Sequence, residues 1–218
     1  MGDHGASVQG RPTPAVVPRG GPVVSRDRQR LPDRRGAWDS RFALTAWLET
    51  EDGWWGVTPT AAQVDYARAE RAARDELHPR NTGDWNSEHR WMGHLGEVCL
   101  QEWLELGGIE FDRDGGINGL PDFTIRGHTA EHKNRSLFHG RMRPHYVVNV
   151  PRDHLHRDVE LYVFTCYEAH ANRLLILGAI AKAEFMPVAA PGNEPQVLYP
   201  SLSIRADVLY PPRVLRNL

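Results

Sequence analysis

The order of secondary-structure signals restricts the fold of this chain more than any other feature of its sequence. Two helical patterns, at residues 64–74 and 87–106, come before a series of short segments dense in β-branched and aromatic residues. Helices that precede strands, with one more short helix at 182–185, predict a single α/β or α+β domain of roughly 180 residues. We expect the α/β class, with a mixed β-sheet flanked by helices.

Capping residues and a glycine pair set the limits of the two helices. Thr58 or Thr60 can cap the first helix, and Ser87 can cap the second. The pair Gly107–Gly108 ends the second helix. The expected strands then cover residues 109–111, 122–125, 129–136, 146–150, 160–165 and 173–180. The tail after residue 200 predicts a short edge strand and a Pro-Pro turn.

Composition divides the chain into three parts. Residues 1–36 contain six Gly and five Pro without hydrophobic periodicity, which predicts a flexible basic arm that either contacts nucleic acid or stays solvated. Residues 37–86 are expected to form a tryptophan-rich and helical N-terminal extension. Residues 87–218 are expected to form the core domain with its C-terminal tail.

Several classes of protein are excluded by the composition. No apolar run approaches the roughly 20 residues that cross a bilayer, and the first residues lack the apolar segment of a secretory signal. The two cysteines, Cys99 and Cys166, cannot build a disulfide framework, and neither belongs to a CxxC pair. We therefore expect a cytoplasmic protein without a membrane partner.

Residues 121–133 carry the main chemical signal. Gly127–His128 is a turn signal between two strands, which predicts a hairpin. Glu131 and Lys133 are two residues apart and therefore share a face of the second strand, and the hairpin brings Asp122 within reach of that face. Two carboxylates and an ammonium suit a divalent cation and a scissile phosphate, because Mg²⁺ prefers oxygen ligands and retains several waters. Apart from Lys133 the chain has one other lysine, against 24 arginines.

This pattern resembles the PD-(D/E)xK nuclease superfamily, which has the restriction-endonuclease-like fold, and most of all the small nuclease domains of phage genomes. The family motif stands here as Pro121–Asp122, eight intervening residues and Glu131–His132–Lys133. The family often adds a glutamate from the helix before the sheet, and Glu97 takes that place after a Gly-x-x-Gly spacing. The resemblance covers roughly residues 88–185 and leaves the arm, the tryptophan-rich stretch and the tail outside.

The resemblance implies a catalytic set of Glu97, Asp122, Glu131 and Lys133. The carboxylates of Glu97, Asp122 and Glu131, with the backbone carbonyl of His132, would hold Mg²⁺, for which Mn²⁺ could substitute. Lys133 would position the attacking water. The implied enzyme is a Mg²⁺-dependent phosphodiesterase, a DNA endo- or exonuclease that works by metal-activated water attack.

The expected partner is nucleic acid, with DNA as the leading substrate. Asn134 and Arg135 follow the motif directly, and Arg141 and Arg143 are expected in a loop beyond it. These four residues can pair with phosphates, or they can belong to a solvated loop. A homodimer is expected because two strands require two cuts. The motif leaves open DNA against RNA, strandedness and sequence preference.

Two interpretations of the sequence compete with the nuclease prediction. A zinc site would draw on the nearest histidine and cysteine cluster, His154, His156, Cys166 and His170, but its spacing is not that of a zinc finger. We therefore interpret these four as surface or core residues. The competing function is a non-catalytic DNA-binding or scaffold protein that retains the nuclease fold, which would need neither the lysine nor the three carboxylates.

Overall fold

The computed structural model describes residues 46–77, 89–113, 120–192 and 200–218. The predicted arm at 1–36, the loop at 80–86 and the predicted cap Ser87 lie outside the described residues. All described residues belong to one unit, residues 37–218, when the chain is divided by its backbone contacts.

Three α-helices lie within the described residues: α1 (Ala61–Leu77), α2 (Trp91–Leu106) and α3 (Lys182–Val188). α1 begins with a capping box. Thr60 Oγ1 accepts a hydrogen bond from the backbone N–H of Gln63 at 3.2 Å, and Gln63 Oε1 accepts one from the backbone N–H of Thr60 at 2.8 Å. The cap of the first helix is therefore Thr60 and not Thr58.

Seven strands form one sheet in the spatial order β1-β2-β8-β7-β5-β4-β3. They are β1 (Leu48–Glu49), β2 (Trp55–Val57), β3 (Phe111–Arg113), β4 (Phe123–Ile125), β5 (His128–Leu137), β7 (Leu161–Glu168) and β8 (Arg173–Ala181). β5 and β7 run parallel, and the other neighbours run antiparallel. The sheet is therefore mixed, and the expected α/β class is confirmed.

A second sheet of three strands has the order β6-β10-β9, with β6 (Val147–Pro151), β9 (Ala190–Pro191) and β10 (Ser201–Arg205). The prediction of an edge strand after residue 200 was wrong, because β10 pairs with β6 on one side and with β9 on the other. The Pro-Pro turn is followed by a 3₁₀ turn at Pro212–Arg216.

The segment predicted as an N-terminal extension contributes directly to the main sheet. β2 pairs antiparallel with β8, so that Trp55 lies opposite Ile176 and Val57 lies opposite Leu174. Trp54, just before β2, is buried in the core. Strand pairing across more than 100 residues leaves no local signal in the sequence. The sequence pattern alone therefore predicted an extension separate from the core domain.

The hairpin that carries the predicted motif joins β4 to β5. Its turn residues are Arg126 and Gly127, both with positive φ (48° and 85°), and Ile125 pairs with His128. The predicted turn at Gly127–His128 was therefore wrong by one residue. A two-residue turn of this kind needs φ > 0 at both positions, and glycine tolerates this at the second.

α2 packs against the sheet and is buried at 11 of its 16 residues. A Cβ atom on Gly96 would lie 2.7 Å from both His132 Cε1 and Thr165 Oγ1, so glycine is what allows the helix to approach β5 and β7. This confirms the close approach that the Gly-x-x-Gly spacing indicates at Gly96. Gly93, the other member of the pair, faces open space.

The two faces of the main sheet enclose separate hydrophobic clusters. On one face, α2 residues such as Leu100 and Leu104 pack with Phe123 and Val163. On the opposite face, Tyr162 and Phe164 of β7 join residues of the second sheet and α3. Because side chains alternate along a strand, the side chains of β5 point toward both faces of the sheet. The candidate site lies along the first half of this strand.

Candidate active site

An open cleft of about 430 Å³ lies between the two helices, the start of β4 and the first half of β5. It is lined by three carboxylates, by the lysine and by six other basic or imidazole side chains. These are Arg71, Arg74, Arg90, Glu97, Asp122, Glu131, His132, Lys133, His154 and Arg157. The structure thus brings the four residues predicted as catalytic, and the four predicted as metal ligands, to the walls of one cleft.

Glu131 is the most deeply buried acid of the cleft, with 1% of its side chain exposed. Its Oε1 lies 2.5 Å from Lys133 Nζ, 2.6 Å from Arg157 Nη1 and 2.9 Å from His154 Nδ1. Its Oε2 is buried without a hydrogen-bond partner among the described residues. Burial alone would raise the pKa of Glu131, but the contacts with His154, Lys133 and Arg157 outweigh it and lower the pKa to about 2.

Lys133 lies on the same face of β5 as Glu131, as their spacing predicts. Its Nζ also lies 2.8 Å from His154 Nδ1. That nitrogen either donates a proton to Glu131 or accepts one from Lys133, so only one of its two contacts is a hydrogen bond at a time. The imidazole therefore takes part in holding the lysine and the glutamate in place.

Asp122 is buried just before β4, and its Oδ2 accepts a hydrogen bond from the backbone N–H of His132 at 2.8 Å. Burial, together with the charges of Glu97 and Glu131, raises the pKa of Asp122 to about 7. Lys133 and the His132 N–H oppose this rise without cancelling it. Asp122 is therefore a carboxylate whose ionised form is disfavoured in the metal-free protein.

Glu97 is buried on α2 and faces the cleft and not the solvent. Its Oε2 lies 2.7 Å from Arg113 Nη2 and 3.5 Å from Arg74 Nη2, and its Oε1 lies 3.5 Å from His94 Nδ1. Burial would raise the pKa of Glu97, but His94, Arg113 and Arg74 hold it well below its ordinary value. Glu97 is thus ionised and strongly paired.

Glu70, His94 and Glu97 form a group that could hold a metal ion, since one ligand atom of each lies within 4.8 Å of the others. Among the described residues, no three His, Cys, Asp or Glu side chains that include Asp122 or Glu131 bring their ligand atoms as close together. Arg113 Nη2 lies 3.0 Å from Glu70 and 2.7 Å from Glu97, so its guanidinium already supplies a positive charge between the two carboxylates. A cation bound at this group would have to compete with Arg113.

His132 takes part through its backbone and through packing. Its ring lies under α2, where Nε2 is 2.8 Å from Thr165 Oγ1. Burial lowers the pKa of His132 to about 4, so the ring is neutral near pH 7. The imidazole is thereby committed to the helix–sheet contact, and the backbone of His132 fixes Asp122.

The residues predicted to bind nucleic acid do not line the cleft. Asn134 Oδ1 accepts a hydrogen bond from Thr165 Oγ1 at 2.9 Å, and its amide donates to Ser136 Oγ at 3.1 Å. Arg135 donates to the backbone carbonyl of Val147 and lies over the Tyr146 ring at 5.8 Å. Arg141 and Arg143 are exposed after β5 and lie beyond the cleft walls.

Sequence reasoning missed the basic residues that do line the cleft. Arg71 and Arg74 share a face of α1 at a spacing of three residues, which indicates neighbouring side chains but not what they face. His154, interpreted from the sequence as a surface or core residue, contacts both Glu131 and Lys133. The other lysine of the chain, Lys182, also supports the site, because its Nζ donates to the backbone carbonyl of Arg157 at 2.6 Å.

No family model matches the chain, and no curated protein or solved structure matches it either. None of the helices that the structure describes is both long and apolar enough to span a bilayer. The class of the protein therefore rests on its own geometry: an α/β domain in which α2 and the mixed sheet bring three buried carboxylates and a lysine into one basic cleft.

Proposed function

We propose that the protein is a metal-dependent nuclease of the PD-(D/E)xK type, with a restriction-endonuclease-like core, that hydrolyses phosphodiester bonds in nucleic acid, with DNA as the leading substrate. The observation that carries the proposal is the arrangement of Glu131. One of its carboxylate oxygens is held by three basic side chains, while the other is buried, without a hydrogen-bond partner in the described part of the chain, in a cleft shared with Asp122 and Lys133.

The residues of the cleft fit a divalent cation. Glu131 Oε2 is an oxygen ligand that lacks a partner among the described residues. Asp122 has a pKa raised to about 7 by burial and by its acidic neighbours, a cost that a nearby cation would relieve. Asp122 and Glu131 would hold Mg²⁺ or Mn²⁺, with Glu97 and the His132 backbone as further ligands. When bound, the ion supplies Lewis acidity toward the phosphate and lowers the pKa of a water.

The chain's own basic residues divide the remaining work. Lys133 presents a compact ammonium beside the carboxylates, where it can hold the attacking water or an oxygen of the phosphate. Arg71, Arg74 and Arg90 line the cleft on the helical side and Arg157 lines it beside Glu131, so phosphates can be bound on both sides of the acidic centre. The hydrogen bond from His132 keeps Asp122 oriented while substrate enters.

The alternative is a non-catalytic nucleic-acid-binding or scaffold protein with the same fold. One observation favours it: Glu97 is already neutralised by Arg113 and Arg74, so the cleft holds fewer uncommitted carboxylates than its sequence indicates. A protein of this kind would bind DNA through the cleft arginines and would be insensitive to divalent metal.

Cleavage assays with linear, nicked, branched and single-stranded DNA, and with RNA, test the proposal. We expect cleavage with Mg²⁺ or Mn²⁺ and none with EDTA, and a loss of about 10²- to 10³-fold in rate for Lys133→Met. Asp158→Asn changes an exposed carboxylate that follows Arg157 in the chain. It is the control and should retain the wild-type rate. If folded wild-type protein binds DNA but cuts no substrate with either metal, the alternative function stands instead.

A further inference from the structure

Two aromatic rings that do not belong to the cleft walls lie together, one of them adjacent in the chain to a cleft residue. The rings of His89 and Phe138 have their centroids 4.8 Å apart at an interplanar angle of 56°. Phe138 is 42% exposed, although it carries no polar group. An exposed aromatic ring that packs against a second ring offers a flat face on which a planar ligand can stack.

The ring pair is connected to the cleft on both sides. His89 directly precedes Arg90, which lines the cleft. Phe138 directly follows β5 and stands five positions after Lys133, which corresponds to about 17 Å along an extended strand. The exposed Arg141 follows Phe138 by three residues. A basic residue thus follows each ring along the chain, Arg90 after His89 and Arg141 after Phe138.

We propose that the cleft takes a single-stranded stretch of nucleic acid and that Phe138, supported by His89, stacks on a base a few nucleotides away from the cleavage centre. This inference rests on the proposed function and specifies its substrate class. In a duplex the faces of the bases are already stacked on one another, whereas an unpaired strand exposes them to an aromatic side chain. Arg90 binds the phosphates between the centre and the rings.

Binding measured without cleavage tests the inference. Fluorescence anisotropy with a labelled single-stranded oligonucleotide and with the same sequence as a duplex, both in EDTA, should show tighter binding of the single strand. We expect Phe138→Ala to weaken single-strand binding about 5- to 100-fold, the loss of one stacked base, and to leave duplex binding within twofold.

Further variants separate stacking from folding and from general apolar contact. Phe138→Trp retains a ring and should restore single-strand affinity, whereas Phe138→Leu retains apolar volume and should not. Met186→Ala removes a similarly exposed apolar side chain on α3 and should change neither affinity. All four proteins should unfold at the wild-type temperature.

The inference is overturned if Phe138→Ala leaves single-strand affinity within twofold of wild type, if Phe138→Leu binds as well as Phe138→Trp, or if wild type prefers the duplex. These outcomes are independent of catalysis. A protein that shows the stacking pattern but never cuts DNA would retain this inference and lose the proposed nuclease function, and a nuclease that is insensitive to Phe138 would do the reverse.

Discussion

Replacing Asp122 by Asn is expected to make the metal-free protein more stable, although Asp122 is one of its proposed metal ligands. Asp122 is buried near two other acids, and its pKa is raised to about 7 from an ordinary value of 3.8. Asn has nearly the same shape, and its carbonyl oxygen can still accept the hydrogen bond from the His132 N–H. The substitution therefore removes a disfavoured charge without opening a cavity.

The magnitude and its pH dependence follow from linkage. A folded-state pKa that lies above the unfolded one favours the folded state while the group is protonated, and that advantage is lost as pH rises from 3.8 through 7. The raised pKa of Asp122 therefore costs about 4 kcal/mol at pH 8, where the folded protein holds it ionised, and about 1 kcal/mol at pH 4.5, where the folded protein holds it protonated. We expect Asp122→Asn to gain about 2–4 kcal/mol at pH 8 and about 1 kcal/mol or less at pH 4.5.

Urea unfolding in EDTA at the two pH values measures this gain, with Glu110→Gln, an exposed carboxylate-to-amide change, as the control that should stay within about 0.5 kcal/mol of wild type. Mg²⁺ should then stabilise wild type and leave Asp122→Asn almost unchanged, since only a folded site binds the ion. The reasoning is refuted if Asp122→Asn is less stable than wild type at pH 8, or if its gain is the same at both pH values.

Three further substitutions or reactions test other parts of the structure. Glu131→Gln should destabilise the protein by about 3 kcal/mol at pH 7 in urea unfolding, opposite in sign to Asp122→Asn, because it leaves the partly buried Lys133 and Arg157 without their counter-charge; an unchanged midpoint would contradict the ion cluster. Gly178→Ala should cost more than about 3 kcal/mol or prevent folding, since φ is 143° and the Cβ would lie 2.1 Å from Tyr210 O; a wild-type melting temperature would exclude this packing. Burial raises the pKa of Cys99 and Cys166, so both thiols should resist a disulfide reagent in the native protein and react after unfolding in guanidinium; rapid native reaction of either would contradict its buried position.

Local patterns predicted much of the fold because they report on short-range physics. The helix over 64–74 extends to Ala61–Leu77, and the glycine at 96 marks the close approach of α2 to the sheet. The alternation of side chains along a strand places Glu131 and Lys133 on one face, as their spacing requires. In contrast, the central position of β10 depends on strands that are distant in sequence, and the tail alone carries no sign of them.

The residues that surround the site could not be predicted from local patterns. Nothing near His154 in the sequence indicates that its ring contacts both Glu131 and Lys133, because these contacts span more than 20 residues. The ion pair of Arg113 on β3 with Glu97 on α2 also joins two separate elements, and the local sequence pattern does not indicate it. Residues adjacent to the motif, such as Arg135, were expected to face the nucleic acid, but β5 turns this side chain toward the second sheet.

The sequence by itself determined which functional groups the site can contain, namely two carboxylates and a lysine on a hairpin and a glutamate on a preceding helix. It also determined the α/β order of the elements. Those features depend on residue type and on periodicities of two and 3.6, which any stretch of chain expresses locally. Only the tertiary structure decided the charge state and the partners of each group. A pKa depends on burial and on charges within a few ångströms, so the same cleft raises the pKa of Asp122 and lowers the pKa of Glu131.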